Sequence, residues 1–135
     1  MMTRTELQQL LPHRDAALWL DGIDGHDANS IRGYCQPDCV QHLHVAQTGW
    51  LFEAAAQLCA VHGALYANDE TIMSAHIGKL SAMQVHHPLN TSGAILLLQA
   101  SLLGGGSASA LYTFTVQQQE NLLLDGQLLV VLQHA

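Results

Sequence analysis

Apolar positions recur in two rhythms along the chain, and the change of rhythm divides it into elements. From Gly49 to Tyr66 the period is helical. Trp50, Ala54, Leu58, Val61 and Leu65 share one stripe, with Glu53, Gln57 and Ala60 on the adjacent face, which predicts a long helix. Beyond it the period falls to two. Ala108 to Val116 alternates with period two, Ala94 to Leu103 is a leucine-rich strand, and Gly104-Gly105-Gly106 forms the turn between them. Met73 to Val85 reads as a strand, irregular around Gly78 and ended by His86-His87-Pro88. A turn around Glu120-Asn121 leads to Leu122-Leu123-Leu124, and Gly126 interrupts before a last strand over 127–133. Ahead of the helix, Ala17 to Asp21 and Ser30 to Cys35 predict a hairpin with 22–29 as its turn. Residues 3–10 predict a short helix capped by Thr3 or Thr5 and ending near Pro12. Gln36 to Thr48 is irregular.

Two strands, one long helix and several consecutive strands make an α+β pattern with one mostly antiparallel sheet. A sheet curled around one apolar helix is the simplest way to bury both. At 135 residues, with no repeat or linker, a single domain over 1–135 is expected.

Composition adds a partner to this picture. Hydrophobic residues are 49% of the chain and charged residues only 11%, so part of the surface is expected to lie under a second subunit. The formal charge of −7, with Arg4, Arg14, Arg32 and Lys79 as the only Lys or Arg residues, argues against nucleic acid as a partner. No apolar run is long enough for a membrane span, and the N-terminal residues lack a signal-peptide pattern. Three cysteines without a CxxC pair fit a reducing, cytoplasmic setting.

The candidate chemistry sits on the helix. Glu53 is a carboxylate among alanines, leucines and aromatics, where burial is expensive unless the group has a partner or a task. Desolvation also moves a carboxyl toward the range useful for proton donation. The bland reading makes Glu53 a core hydrogen-bonding residue held by backbone, His13 or Arg14. Gln57, one turn on, reads as a buried structural amide or a substrate contact, and Cys59 as core. His42 and His44 have a spacing that suits a metal, but nothing nearby completes a ligand set, so neither metal nor cofactor is expected.

Leu11-Pro12-His13-Arg14-Asp15, leading into Leu18-Trp19-Leu20-Asp21, and Phe52-Glu53-Ala54-Ala55-Ala56-Gln57 on the helix carry a resemblance. Together they resemble the hot-dog-fold 3-hydroxyacyl-[acyl carrier protein] dehydratases of bacterial fatty-acid synthesis, whose motifs read L-P-H-R-x-P and V-E-A-M-A-Q. Trp50, Glu53, Ala56 and Gln57, with Ile77-Gly78-Lys79-Leu80 downstream, are similar to the divergent members encoded with aryl-polyene or polyketide pathways. The family's H-F-P-G loop, which supplies its catalytic histidine, has become Cys39-Val40-Gln41-His42-Leu43-His44 here, with Cys39 in the histidine's register.

The resemblance implies a hot-dog fold: an antiparallel sheet wrapped around one central helix. It implies dehydration of acyl chains carried on acyl carrier protein, with Glu53 as the acid for the departing hydroxyl. Thr48, Gly49 and Trp50 at the helix start would offer N–H groups to the thioester carbonyl. The base stays open among Cys39, His42, His44 and a histidine brought by a partner. The chain is accordingly expected as a homodimer or as a heterodimer with a second hot-dog subunit. Edge strands would join, and leucines of 95–103 would line an acyl tunnel along the helix. The alternatives are a non-catalytic or site-completing subunit of a heteromeric dehydratase, and an acyl thioesterase in which Glu53 activates water.

Overall fold

A computed structural model gives the architecture and describes residues 2–11, 18–36, 45–66, 72–90, 93–106 and 108–134. The order is β1 (Met2–Thr3), α1 (Arg4–Leu10), β2 (Gly22–Asp27), β3 (Ser30–Cys35), a 3-10 segment (Val45–Leu51) running into α2 (Phe52–Leu65), then β4 (Ile72–Val85), β5 (Leu96–Gly105), β6 (Ser109–Gln118) and β7 (Asn121–His134). The strands form one seven-stranded sheet in the order β1-β2-β3-β5-β6-β7-β4, with every neighbouring pair antiparallel. After β3 the chain passes through α2 and continues as β4 at the far edge of the sheet.

Period-two alternation decides which face meets the helix. In β5 the buried positions are Leu96, Leu98 and Ala100; opposite them in β6 lie Val116 and Phe114, also buried. Directly opposed residues share a face, so this set, continued by Leu124, Leu128 and Val130 of β7, forms the floor on which α2 rests. The helix answers with Ala54, Ala55, Leu58, Cys59 and Val61, all buried. Each large side chain so covered contributes about 2 kcal/mol. Glycines make room at two tight contacts, one between sheet and helix and one within the sheet. A Cβ on Gly33 of β3 would stand 3.0 Å from Leu58 Cδ1, and one on Gly126 of β7 would stand 3.1 Å from the Phe114 ring.

Gly126 is therefore no interruption. It lies within a continuous β7, at the place where Phe114 needs the room. The hairpin also differs from its expected form. The first strand is Gly22–Asp27, inside the stretch whose Gly, Asp and His content reads as turn. Its pairing with β1 on one side and β3 on the other overrides that composition. The turn shrinks to Ala28 and Asn29. Asp27 Oδ1 accepts from the Asn29 and Ser30 N–H groups at 2.8 Å each, and these bonds, led by Asn29, hold its carboxyl below the usual range. At the N-terminus Thr3 and Glu6 form a reciprocal capping box on α1. Arg4 joins α1 to the lead-in through Asp21 Oδ1 at 3.2 Å and the Leu20 carbonyl at 3.3 Å.

Burial perturbs two core groups in the same direction. It pushes the Cys59 thiol far above its ordinary value, and raises the Tyr112 hydroxyl likewise, with Cys59 beside it adding to the effect. The folded chain keeps both protons at pH values where the unfolded chain releases them. Stability from these groups is therefore complete below their ordinary values and is lost as pH climbs from there through their raised folded-state values. Unfolding free energies from urea titrations are expected to fall steadily above pH 9, by about 1.4 kcal/mol per pH unit for each group that ionises only on unfolding. Cys59→Ala should remove the first part of that slope.

Candidate functional site

Glu53 lies in the first turn of α2 and is half-buried, with an interaction partner of its own. One helical turn on, Gln57 is buried, and its Oε1 accepts from the Trp19 N–H at 2.8 Å and the Leu20 N–H at 3.3 Å. Those two N–H groups belong to a buried, non-strand segment, where a lost hydrogen bond costs about 1–3 kcal/mol. Gln57 thus fastens the lead-in to the central helix.

Thr48, Gly49 and Trp50 lie in the 3-10 segment, within the turn that precedes α2. Thr48 is buried, and its Oγ1 accepts from the Leu89 N–H at 2.9 Å. Gly49 faces the edge strand: a Cβ on it would meet Met83 Cε at 3.4 Å and Val85 Cγ2 at 3.9 Å. Trp50 is 59% exposed, although its spacing places it on the core stripe. The tighter 3-10 turn and the kink at Gln47 rotate it off that stripe. Cys39, His42 and His44, like His13 and Arg14, lie outside the described residues. Among the described residues no three His, Cys, Asp or Glu side chains are grouped as metal ligands would be, and no helix is long and apolar enough to cross a membrane.

Beside the helix start, the terminal strand β4 carries an apolar rim. Val85 opposes buried Leu124 and Ile77 opposes buried Val130, so both share the helix-side face of the sheet. Val85 is nevertheless 50% exposed, and Ile77 and Met83 are 37% exposed. Trp50, Met83 and Val85 therefore leave an uncovered apolar strip next to the turn that bears Glu53. Of the leucines in 95–103, Leu96 and Leu98 pack into the core, whereas Leu97 and Leu103 are exposed.

No protein-family model and no curated protein sequence matches the chain. Among solved structures it is similar to the dehydratase heterocomplex ApeI:P from Xenorhabdus doucetiae, with a TM-score of 0.78 and 18% identity over 94% of this chain and 90% of that one. The chain has the hot-dog fold. The conserved protein PA5202 from Pseudomonas aeruginosa matches with a TM-score of 0.69 and 14% identity, over 93% of this chain and 98% of its own. A variant of the thioesterase PA1618 from the same organism matches at 0.62 and 11%, over 87% and 84%.

At the far end of the hot-dog helix the structure holds a polar cluster that the sequence did not disclose. His62 is buried, with Nε2 2.9 Å from the Asp27 carbonyl and Nδ1 2.7 Å from the Tyr112 hydroxyl. A carbonyl only accepts, which fixes a proton on Nε2; in the neutral ring Nδ1 then accepts from Tyr112. Tyr66 stacks on His62, ring centroids 4.8 Å apart, and its hydroxyl meets His26 Nδ1 at 2.7 Å. One signal was available: a histidine among Ala60, Val61 and Ala64 on a helix expected to be buried must find polar partners.

Proposed function

We propose that this chain is a dehydratase-like hot-dog subunit acting on 3-hydroxyacyl thioesters of acyl carrier protein. In this reading Glu53 is the general acid, and a second hot-dog subunit completes the site. A base removes the C2 proton, and the electrons of that bond form the C2–C3 double bond. The C3 hydroxyl departs as water with the Glu53 proton, leaving a 2-enoyl thioester. The observation that carries the proposal is the half-buried Glu53, one turn from an apolar rim that is exposed among the described residues.

A partner's edge strand running along β4 would extend the sheet and cover Trp50, Met83 and Val85. It would bring a histidine toward Glu53, which is what a chain with Cys39 in the histidine's register requires. Likeness in fold to a dehydratase heterocomplex supports this arrangement. The presence of thioesterases with the same fold favours a second reading, in which Glu53 activates water against the acyl carbon.

One experiment separates them. The chain is purified alone and after co-expression with a catalytically complete hot-dog dehydratase, then supplied with 3-hydroxyacyl thioester on a carrier protein. Enoyl absorbance and free thiol are followed together. Enoyl formation that requires both chains supports the proposal. Thiol release without enoyl product supports the thioesterase, and full enoyl turnover by this chain alone removes the need for a partner's base.

A further inference from the structure

The start of the central helix is held in an unusual way. A threonine just ahead of a helix ordinarily caps it by accepting from that helix's own N–H groups. Here the N-cap of α2 is Leu51, which makes no side-chain cap bond, and Thr48, one turn ahead in the 3-10 segment, accepts from Leu89 in the connection between β4 and β5. The placement of the helix start therefore depends on what fixes that connection.

Gln118 fixes it. It is the last residue of β6, and its side chain follows Tyr112, Phe114 and Val116 to the buried face, where it is 3% exposed. Oε1 accepts from the Asn90 N–H at 2.9 Å, and Nε2 donates to the Asn90 carbonyl at 2.7 Å and the Ala94 carbonyl at 3.2 Å. One buried amide thus does for these residues what a neighbouring strand does elsewhere. Leu89, the next residue back, is buried and reaches Thr48, five residues ahead of Glu53. We infer that Gln118 is a positioning residue, acting through Asn90, Leu89 and Thr48 on the helix start that presents Glu53. The catalytic part of this inference rests on the reading of Glu53 given above; the structural part does not.

Gln118→Glu tests it, because the substitution keeps the shape and changes one set of hydrogens. Ionised, the new carboxylate still accepts from Asn90 but turns a bare oxygen toward two carbonyl oxygens. Protonated, it donates again to Asn90. Amide exchange at Leu89, Asn90 and residues 49–52 is measured at pH 7.5 and pH 5, alongside turnover by the complex, each relative to wild type at the same pH. At pH 7.5 exchange at both places is expected to rise about tenfold, the equivalent of one lost buried hydrogen bond. Turnover is expected to fall about tenfold in kcat with KM within about twofold, as for a displaced reacting group. Both defects should shrink at pH 5.

Gln118→Leu should show the same defects without relief by acid; if it does not fold, Gln118→Glu alone decides. Exchange that rises at 89–90 but not at 49–52, or a defect indifferent to pH, would overturn the inference. Coupled exchange at both places with no turnover in any form, wild type included, would leave Gln118 as the anchor of the helix start and remove the dehydratase reading instead.

Discussion

Glu53→Gln in the two-subunit complex is expected to lower enoyl formation by about a hundred- to ten-thousand-fold, the usual loss when a positioned acid is removed. The amide keeps the shape and polarity of the side chain but has no proton to give to a leaving hydroxyl. Glu53 is half-buried rather than sealed in the core, so the complex should still assemble and melt within a few degrees of wild type. A kcat loss with KM little changed would mark an interaction made in the transition state. Glu53→Asp, one methylene shorter, should recover part of the rate. If Glu53→Gln instead melted far below wild type, Glu53 would be a structural hydrogen-bonding residue.

The largest effect on stability is expected at the other end of the helix. His62→Leu removes a donor from the Asp27 carbonyl and strands the buried Tyr112 hydroxyl. The expected loss is about 2–4 kcal/mol, a fall in melting temperature on the order of 10 °C for a domain of this size. Tyr112→Phe leaves only His62 Nδ1 without its partner, so it should cost less, about 1–2 kcal/mol. The double variant is expected to be less destabilised than the sum, because the two residues share one hydrogen bond. Thermal melts of the three proteins check the order. Equal losses in both single variants would mean that the Nε2 contact to Asp27 contributes nothing. That contact joins α2 to the β2–β3 turn, so the loss should also appear as faster amide exchange at residues 27–30.

These two residues illustrate how differently the chain discloses its parts. Glu53 stands out in the sequence because a carboxylate in an apolar helix needs a reason. His62 sits in the same helix, but its partners, Asp27 and Tyr112, are 35 and 50 positions away, and no local pattern joins them. Gln57 was readable as a buried amide, yet its pairing with Trp19 and Leu20 follows from where the lead-in crosses the helix. A purely α-helical period puts Trp50 on the core stripe, but residues 45–51 adopt a 3-10 turn and turn it outward. Gln118 was invisible: it is one more polar residue in Gln117-Gln118-Gln119, and only the pleat sends that one inward.

The sequence by itself determined the strands β5 and β6, the central helix and the capped α1, since alternation, helical spacing and capping are local consequences of side-chain direction. It also determined that one acidic group would sit in an apolar helix. Tertiary structure alone decided that 22–27 is a strand, that Gly126 lies within one, and which edge of the sheet carries the open apolar rim. Those outcomes depend on pairing and close approach between segments far apart in the chain, and a residue's own propensity holds no record of its distant neighbours.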